Sequence, residues 1–400
     1  MREYSKILFI NINFRYDNSS GITVSKLVDH IPREKLFLLS TNTVNSNIDI
    51  FCDKKQIGRA SSVKKERKPK RSFLRKCFVS IVGQKTIFNH FDLTNDIKIW
   101  LDEIKPDYIY FCPSDLAIIE FVNEIVKFVK VKTIIHVMDD KVNVKYPGIL
   151  GIIYKLKFIQ SFKNIVKQSS IRLSISDLMA EEYFKRYKKV FHSFHNPVNI
   201  EKWLPYQKKE IKNKKDIKVI YSGWIESTST PIFEFCEVIY RLNQLGYEIS
   251  FILYSMFSSS DIREKIDSYS FVRINDFVSQ EELPKTLSKA DFLFLPLSFK
   301  KNLKFIYLSM PTKTAEYMVS GVPVIVYAPA GTALSQYSNK GEWGHTIITN
   351  KKSDVEKSVI ELLNDIELQK KYSTNAMRLA KKRHDVNHNK EMFIEIIDEL

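Results

Sequence analysis

The sequence predicts an α/β protein made of two doubly wound domains. Three observations carry that prediction. Short apolar runs of the kind buried in parallel sheets alternate with helix-period segments along the chain. The alternation restarts after a polar, lysine-rich stretch at 201–215. At 400 residues the chain is also longer than one hydrophobic core usually serves. Hydrophobic content of 44% and charged content of 27% fit a soluble globular protein. No apolar run approaches the ~18–20 residues of a membrane span. The opening MREYSKILFINI has a cationic start, but its apolar run is short and no small-residue cleavage site follows. It reads as a first strand, which places the protein in the cytosol.

The first half begins with a strand at Ile7–Asn11, a polar loop containing Gly21, and a helix at Ile22–Ile31. Gly21 is either a turn glycine or a point of close backbone approach to a ligand at the carboxyl end of the strand. Short strands are expected at Leu36–Leu39 and Ile48–Phe51. Between Ser61 and Lys76 stand eight Lys/Arg against Glu66 alone, and Leu74, Cys77, Phe78, Ile81 and Val82 follow at helical spacing. A basic arm leading into an amphipathic helix fits an anionic membrane surface. It fits less well a solvated loop before a core helix, and more weakly still a nucleic-acid contact, for which no recognition motif is present. The rhythm then resumes with helix Leu93–Ile104, strand Tyr108–Cys112, helix Leu116–Val129 and strand Lys132–Val137. His136 ends that strand, with Asp139 and Asp140 three and four residues on. This arrangement suits proton transfer to a hydroxyl substrate, or a structural histidine in a βα turn. A basic helix at Gly148–Gln168, strand Ile171–Ile175, a helix Leu178–Tyr187 capped by Ser176, and strand Val190–Phe194 complete this half.

After His195-Asn196-Pro197-Val198, residues 201–216 read as the linker. The second half runs strand Ile217–Tyr221, helix Ile232–Leu245, strand Ile249–Tyr254, helix Ser259–Tyr269, strand Val272–Asn275, helix Gln280–Ser288 and strand Asp291–Leu295. Strand Trp343–Thr349 and helices Asp354–Tyr372, Asn375–Arg383 and from about Lys390 close the chain. Four scattered cysteines (Cys52, Cys77, Cys112, Cys236) form no CxxC pair, so neither a zinc site nor a disulfide framework is expected.

The stretch Ser309–Ala330, SMPTKTAEYMVSGVPVIVYAPA, carries the most chemistry. Thr312 can cap a short helix over Lys313–Val319, Gly321 ends it, and Val324–Tyr327 is a strand. A helix start bearing a lysine can hold a phosphate. Glu316 shares a face with Lys313 and can accept hydrogen bonds from ribose hydroxyls. An ordinary αβ connection with a surface Lys–Glu pair is the plain alternative.

The pattern PxKxxEYMxxGxPVI at Pro311–Ile325 resembles the donor-site motif of the retaining GT-B glycosyltransferases of family 4. VIYSGW (219–224), the DFV turn before EELPKTLSKADFLFLPL (276–297), SISDLMAEEY (174–183) and HNPVN (195–199) follow the family's order. The resemblance implies a GT-B architecture, with two Rossmann-like domains facing across a cleft. It assigns residues 1–200 to acceptor binding, with 61–91 as a membrane-facing insertion. It assigns 217–375 to the nucleotide-sugar, and helices over 376–400 that can pack back on the first domain. It further implies donor contacts from Gly223, Phe277, Val278, Pro311, Thr312, Lys313 and Glu316, and an acceptor-side place for His136 and Gly21; Asp139 joins His136 as a catalytic candidate by its spacing, and Lys304 is an alternative phosphate cation on the donor side. No metal and no cofactor is expected. Two departures stand out: Leu308 occupies the place of the family's sugar-facing glutamate, and WIESTSTP lacks its Arg and Lys.

The expected activity is transfer of a sugar, with retention, from a nucleotide-sugar to a hydroxyl of a lipid-linked or cell-surface glycan. Lipopolysaccharide or a similar polysaccharide is the acceptor class. The enzyme would sit peripherally on the inner membrane face, without nucleic acid. A catalytically silent binding or accessory subunit is the alternative. The net charge of +16 fits an anionic partner.

Overall fold

The computed structural model describes residues 4–12, 14, 19–40, 53–56, 89–225, 228–256 and 259–399. The basic segment 61–88, with its expected helix at 74–82, lies outside the described residues, as do Cys52 and Cys77. The chain forms two compact units, Met1–Phe194 with Met392–Leu400, and His195–Glu391.

The first unit contains β1 (Ile7–Ile10), α1 (Ser19–Val28), β2 (Leu36–Ser40), β3 (Asp53–Gln56), α2 (Asn95–Ile104), β4 (Tyr108–Phe111), α3 (Leu116–Val129), β5 (Lys132–Val137), α4 (Gly148–Gln168), β6 (Ile171–Ser174), α5 (Asp177–Tyr187) and β7 (His192–Ser193). The second runs through α6 (Ile200–Trp203), β8 (Asp216–Ser222), α7 (Ser229–Gln244), β9 (Glu248–Tyr254), α8 (Ser260–Asp267), β10 (Val272–Asn275), α9 (Leu283–Leu287) and β11 (Phe292–Pro296). It continues with α10 (Lys313–Val319), β12 (Val324–Tyr327), α11 (Ala333–Gly341), β13 (His345–Ile347), α12 (Lys352–Asn364) and α13 (Ile366–Arg383). The last helix, α14, spans Val386–Asp398.

The first sheet has the order β3-β2-β1-β4-β5-β6-β7 and the second β10-β9-β8-β11-β12-β13. Every pairing is parallel. Both orders reverse direction beside the first strand of the unit, where doubly wound sheets open a crevice at the carboxyl ends of their strands. Central strands such as β1 (ILFI) and β11 (FLFLP) are buried at every residue, as a sheet covered on both faces requires. The helices bury one stripe each: in α2 these are Ile97, Trp100, Leu101 and Ile104. Side chains close several helix starts, since Asp115 accepts from Ile118 N at 3.0 Å and Ser176 from Met179 N at 3.1 Å.

Several expectations shift. Gly21 lies inside α1 and is buried, so it is a helix residue and not a loop residue. The expected strand Ile48–Phe51 lies outside the described residues, and β3, which pairs with β2 at the sheet edge, is the polar DKKQ with no apolar signature. The expected helix Asp354–Tyr372 breaks at Asp365, whose carboxylate accepts from Leu368 N at 2.8 Å and starts α13. Asn375–Arg383 is therefore the end of α13 and not a separate helix. Residues 201–216, read as a linker, belong to the second unit. Half-buried Asp291 explains their placement: it pairs with Lys208 at 3.0 Å and Lys214 at 2.7 Å and accepts from Lys218 N at 3.0 Å. Burial alone would raise the Asp291 carboxyl, but these donors hold it below its usual range. Gln207 and Lys208 N donate to Val319 O and Ser320 O, both at 2.9 Å, fastening the segment to the end of α10. Residues 376–391 stay with the second unit, while 392–400 belong to the first.

Candidate functional site

Because all six strands of the second sheet are parallel, the segments leaving β8, β10 and β11 emerge at one edge. Gly223 follows β8, Phe277 and Val278 follow β10, and the path from β11 to α10 carries Lys304, Pro311, Thr312 and Lys313. The structure joins two of these segments closely. Lys313 Nζ stands 4.0 Å from the centroid of the Tyr221 ring. A Cβ added to Gly223 would collide with Lys313 Nζ and lie 3.0 Å from Cε and 3.3 Å from Tyr221 Oη. With φ at +144°, Gly223 also holds a backbone conformation that side-chain-bearing residues rarely adopt. Glycine is therefore needed for space and for conformation together. Its N–H donates to Tyr254 O at 3.0 Å, so the residue offers room and not a hydrogen bond.

Buried tyrosines fix this geometry. Tyr317, fully buried in α10, accepts from Ser222 N at 2.9 Å and ties the helix to the end of β8. Tyr221 Oη donates to Trp224 O at 2.8 Å, so the ring beneath the ammonium does not swing. Asn196 Nδ2 donates to Met310 O at 3.1 Å and Pro311 O at 3.3 Å, setting the loop before the helix. Gly321 ends α10 at φ +77°, where a Cβ would meet Lys208 O at 2.6 Å. Neither tyrosine nor Asn196 was singled out from the sequence for this role. Tyr317 sits inside the motif itself, but tyrosine at that place reads only as an apolar helix residue.

Other predicted residues fare differently. Thr312 does not cap α10: it is already helical (φ −57°, ψ −36°), and Thr314 N donates to Pro311 O at 3.0 Å instead. A seven-residue helix also carries little dipole, so the positive charge of the site comes from Lys313 itself. Glu316 is half-buried one turn on, on the same face. Lys304 is exposed on the 3-10 helix Lys301–Ile306, which the sequence did not signal. Phe277 is exposed and Val278 half-buried on the edge beyond β10. Leu308 is buried.

In the first unit His136 is fully buried at the end of β5, its Nδ1 2.5 Å from Tyr110 Oη. Its Nε2 has no hydrogen-bond partner among the described residues. Burial pushes the imidazole down to about 3, so the ring is neutral at ordinary pH and acts as a hydrogen-bonding group, not a cation. Asp139 is a partly exposed partner of Lys141 at 3.3 Å. Asp140 is the buried carboxylate, held by Arg186 at 2.9 Å to each oxygen, by Tyr183 Oη at 3.0 Å and by Asn143 Nδ2 at 2.6 Å. The acids after His136 are thus engaged with other residues, and no His–Asp relay is built. Among the described residues no group of three or more His, Cys, Asp or Glu could hold a metal, and no helix is long and apolar enough to cross a membrane.

Comparison with known proteins brings this edge into focus. Residues 217–365 match the family model of glycosyl transferases group 1. The matched span contains Gly223, Lys313 and Glu316. Anabaena Alr3699/HepE in complex with UDP and glucose superposes with a TM-score of 0.65 at 13% identity, covering 99% of this chain and 100% of that one. Sucrose-phosphate synthase from Thermosynechococcus elongatus gives 0.68 at 12% identity, covering 99% of both chains. The E. coli trehalose-6-phosphate structure bound with UDP-2-fluoro glucose gives 0.64 at 9%, again covering 99% of both. The two-domain fold is that of the GT-B glycosyltransferases. Among the curated proteins no sequence matches this chain.

Proposed function

We propose that the chain is a glycosyltransferase that takes a sugar from a nucleotide-sugar donor and passes it, with retention, to an acceptor hydroxyl. The observation that carries this reading is the Lys313 ammonium, seated over the Tyr221 ring against side-chain-free Gly223 at the carboxyl edge of the second sheet. There Lys313 would meet the donor diphosphate as a charge-assisted donor. Glu316, one turn on, would accept from the ribose hydroxyls. Pro311 and Thr312 would shape the approach, and Lys304 would add positive charge. Phe277 and Val278 would border the base. Solved relatives of the same fold contain UDP, UDP-glucose and UDP-2-fluoro glucose, which supports a uridine nucleotide as the first donor to try.

In the transfer, the bond between the anomeric carbon and the diphosphate oxygen breaks. A glycosidic bond to the acceptor oxygen forms on the same face, and the acceptor's proton passes to the departing diphosphate oxygen. The chain's main contribution is to stabilise the departing diphosphate through Lys313, without a metal. Neutral His136 would orient an acceptor or sugar hydroxyl through Nε2, with Asp139 three residues on and Gly21 of α1 also assigned to the acceptor side. The acceptor is proposed to be a lipid-linked or cell-surface glycan such as lipopolysaccharide. The enzyme would meet it at the inner membrane face, held to anionic lipid in part by the basic segment 61–91. Residues 1–200 would serve the acceptor and 217–375 the donor.

Leu308 supports a second reading, a catalytically silent protein that binds the nucleotide-sugar, because an apolar side chain there cannot accept hydrogen bonds from sugar hydroxyls. A panel of nucleotide-sugars read first by thermal stabilisation and then by donor consumption separates the two. Stabilisation followed by release of nucleoside diphosphate supports the enzyme, and stabilisation without release supports the silent binder. No stabilisation by any nucleotide-sugar would overturn both.

A further inference from the structure

Helix α4 is apolar on two opposite sides. One side is core: Tyr154, Phe158, Phe162, Ile165 and Val166 are buried, the first three forming a stacked row with centroids 6.3 and 5.8 Å apart. Tyr154 Oη accepts from Leu116 N at 3.0 Å, fixing the helix to the start of α3. The other side faces solvent. Ile149 (59% exposed), Ile152 (60%), Ile153 (41%) and Leu156 (64%) stand at i, i+3, i+4 and i+7, one continuous stripe. Lys145 precedes the helix, and Lys155, Lys157, Lys163 and Lys167 lie on it. The helix contains no acidic residue over Gly148–Gln168.

A rigid helix that leaves four large aliphatic side chains in water, rimmed by lysines, is an interaction surface. We propose that the outer face of α4 docks on an anionic lipid bilayer, with the Ile149–Leu156 stripe entering the headgroup boundary and the lysines meeting lipid phosphates. The chemistry of this face selects the occupant. A nucleic acid would engage the lysines and leave the isoleucines wet. A second copy of this chain would bring two lysine rims of the same sign together. An anionic bilayer satisfies the apolar stripe and the charge at once, because lysine stems lie along apolar surface while their heads stay at the phosphates. The site deepens the membrane part of the proposed function and rests on that reading for its purpose. In sequence it is separate from the basic segment 61–91.

The test is vesicle co-sedimentation of the full chain, with phosphatidylcholine vesicles alone and with added phosphatidylglycerol. The variants are Ile152→Ser/Leu156→Ser, Lys155→Glu/Lys157→Glu, and a deletion of 61–76. Both substituted pairs are expected to bind phosphatidylglycerol vesicles at least tenfold more weakly while keeping the melting temperature and its rise with nucleotide-sugar. Addition of salt should weaken the wild type and leave less to lose in the charge-reversed pair. Undiminished binding by Ile152→Ser/Leu156→Ser, with binding lost on deletion of 61–76, would overturn the role of α4 and keep the membrane reading. A wild type that ignores anionic vesicles would overturn both. A wild-type dimer converted to monomer by Ile152→Ser/Leu156→Ser would overturn the bilayer as the occupant.

Discussion

Replacing Gly223 with alanine tests the proposed donor site more sharply than removing the lysine. The added methyl would fall on Lys313 Nζ. That ammonium ends a flexible side chain and can swing away, so the packing cost is small. The backbone cost is not: φ at +144° is a glycine conformation, and forcing alanine into it costs about 1–3 kcal/mol. For a unit of this size the melting temperature should fall by roughly 2–4 °C per kcal/mol. The displaced lysine also leaves the Tyr221 ring, and with it the place from which it reaches a diphosphate. A hydrogen bond to a charged group contributes about 1.5–3 kcal/mol, so nucleotide affinity should drop roughly ten- to hundredfold. The assay is calorimetric titration of UDP into the wild type, Gly223→Ala, Lys313→Ala and the double variant. If the lesion acts through Lys313, the double variant binds no worse than Lys313→Ala, giving strong non-additivity. Wild-type affinity in Gly223→Ala, or fully additive losses, would refute the reasoning.

Three further outcomes follow from the same geometry. Glu316→Gln should weaken binding of the ribonucleotide by several-fold and that of its 2′-deoxy analogue much less, measured by the same titration; equal losses for both would remove Glu316 from the ribose. The lowered His136 group makes stability pH-dependent with a definite sign: the unfolded chain takes up its proton below about 6.5 and the folded one only near 3, so stability is full above 6.5 and is lost as pH falls. Between pH 7 and pH 5 this group removes about 2 kcal/mol, so the wild type should lose roughly 4–8 °C more of melting temperature over that range than His136→Gln, and parallel curves would contradict the burial of the ring. Asp140→Ala, which strands the Arg186 guanidinium, should cost about 3 kcal/mol, whereas Asp139→Ala, at an exposed pair, should stay within about 1 kcal/mol by thermal melting.

The alternation that defines the fold was legible because central strands of a parallel sheet, such as ILFI and FLFLP, carry no polar residue to disguise them. The edge strand β3 escaped for the opposite reason: DKKQ at a sheet margin is stabilised by backbone pairing to β2, which leaves no trace in side-chain pattern. The stretch Pro311–Ile325 was legible as a helix, a lysine and a glycine stop. What places the lysine was not, because Tyr221 and Gly223 lie about ninety residues earlier and only the parallel pairing of β8 with β11 brings them alongside. Asn196 is further still, 114 residues from the carbonyl it holds. Asp139 and Asp140 show a local limit of the same kind. Both are one turn from His136, and periodicity alone does not say which carboxylate turns inward to Arg186.

The split of the first unit bears on how the protein is made. Phe393 and Ile397 belong to its core, where Phe393 meets Tyr110 ring to ring at 6.2 Å and Tyr108 Oη donates to Ile397 O at 3.1 Å. On the ribosome these side chains emerge after the whole of His195–Glu391. The second unit can therefore close while the first still lacks part of its interior, reversing the usual vectorial order in which the leading domain matures first. A nascent chain stalled before residue 392 would hold a finished carrier of Lys313 beside an unsealed sheet, and truncations near the end should injure the half of the protein that was translated first.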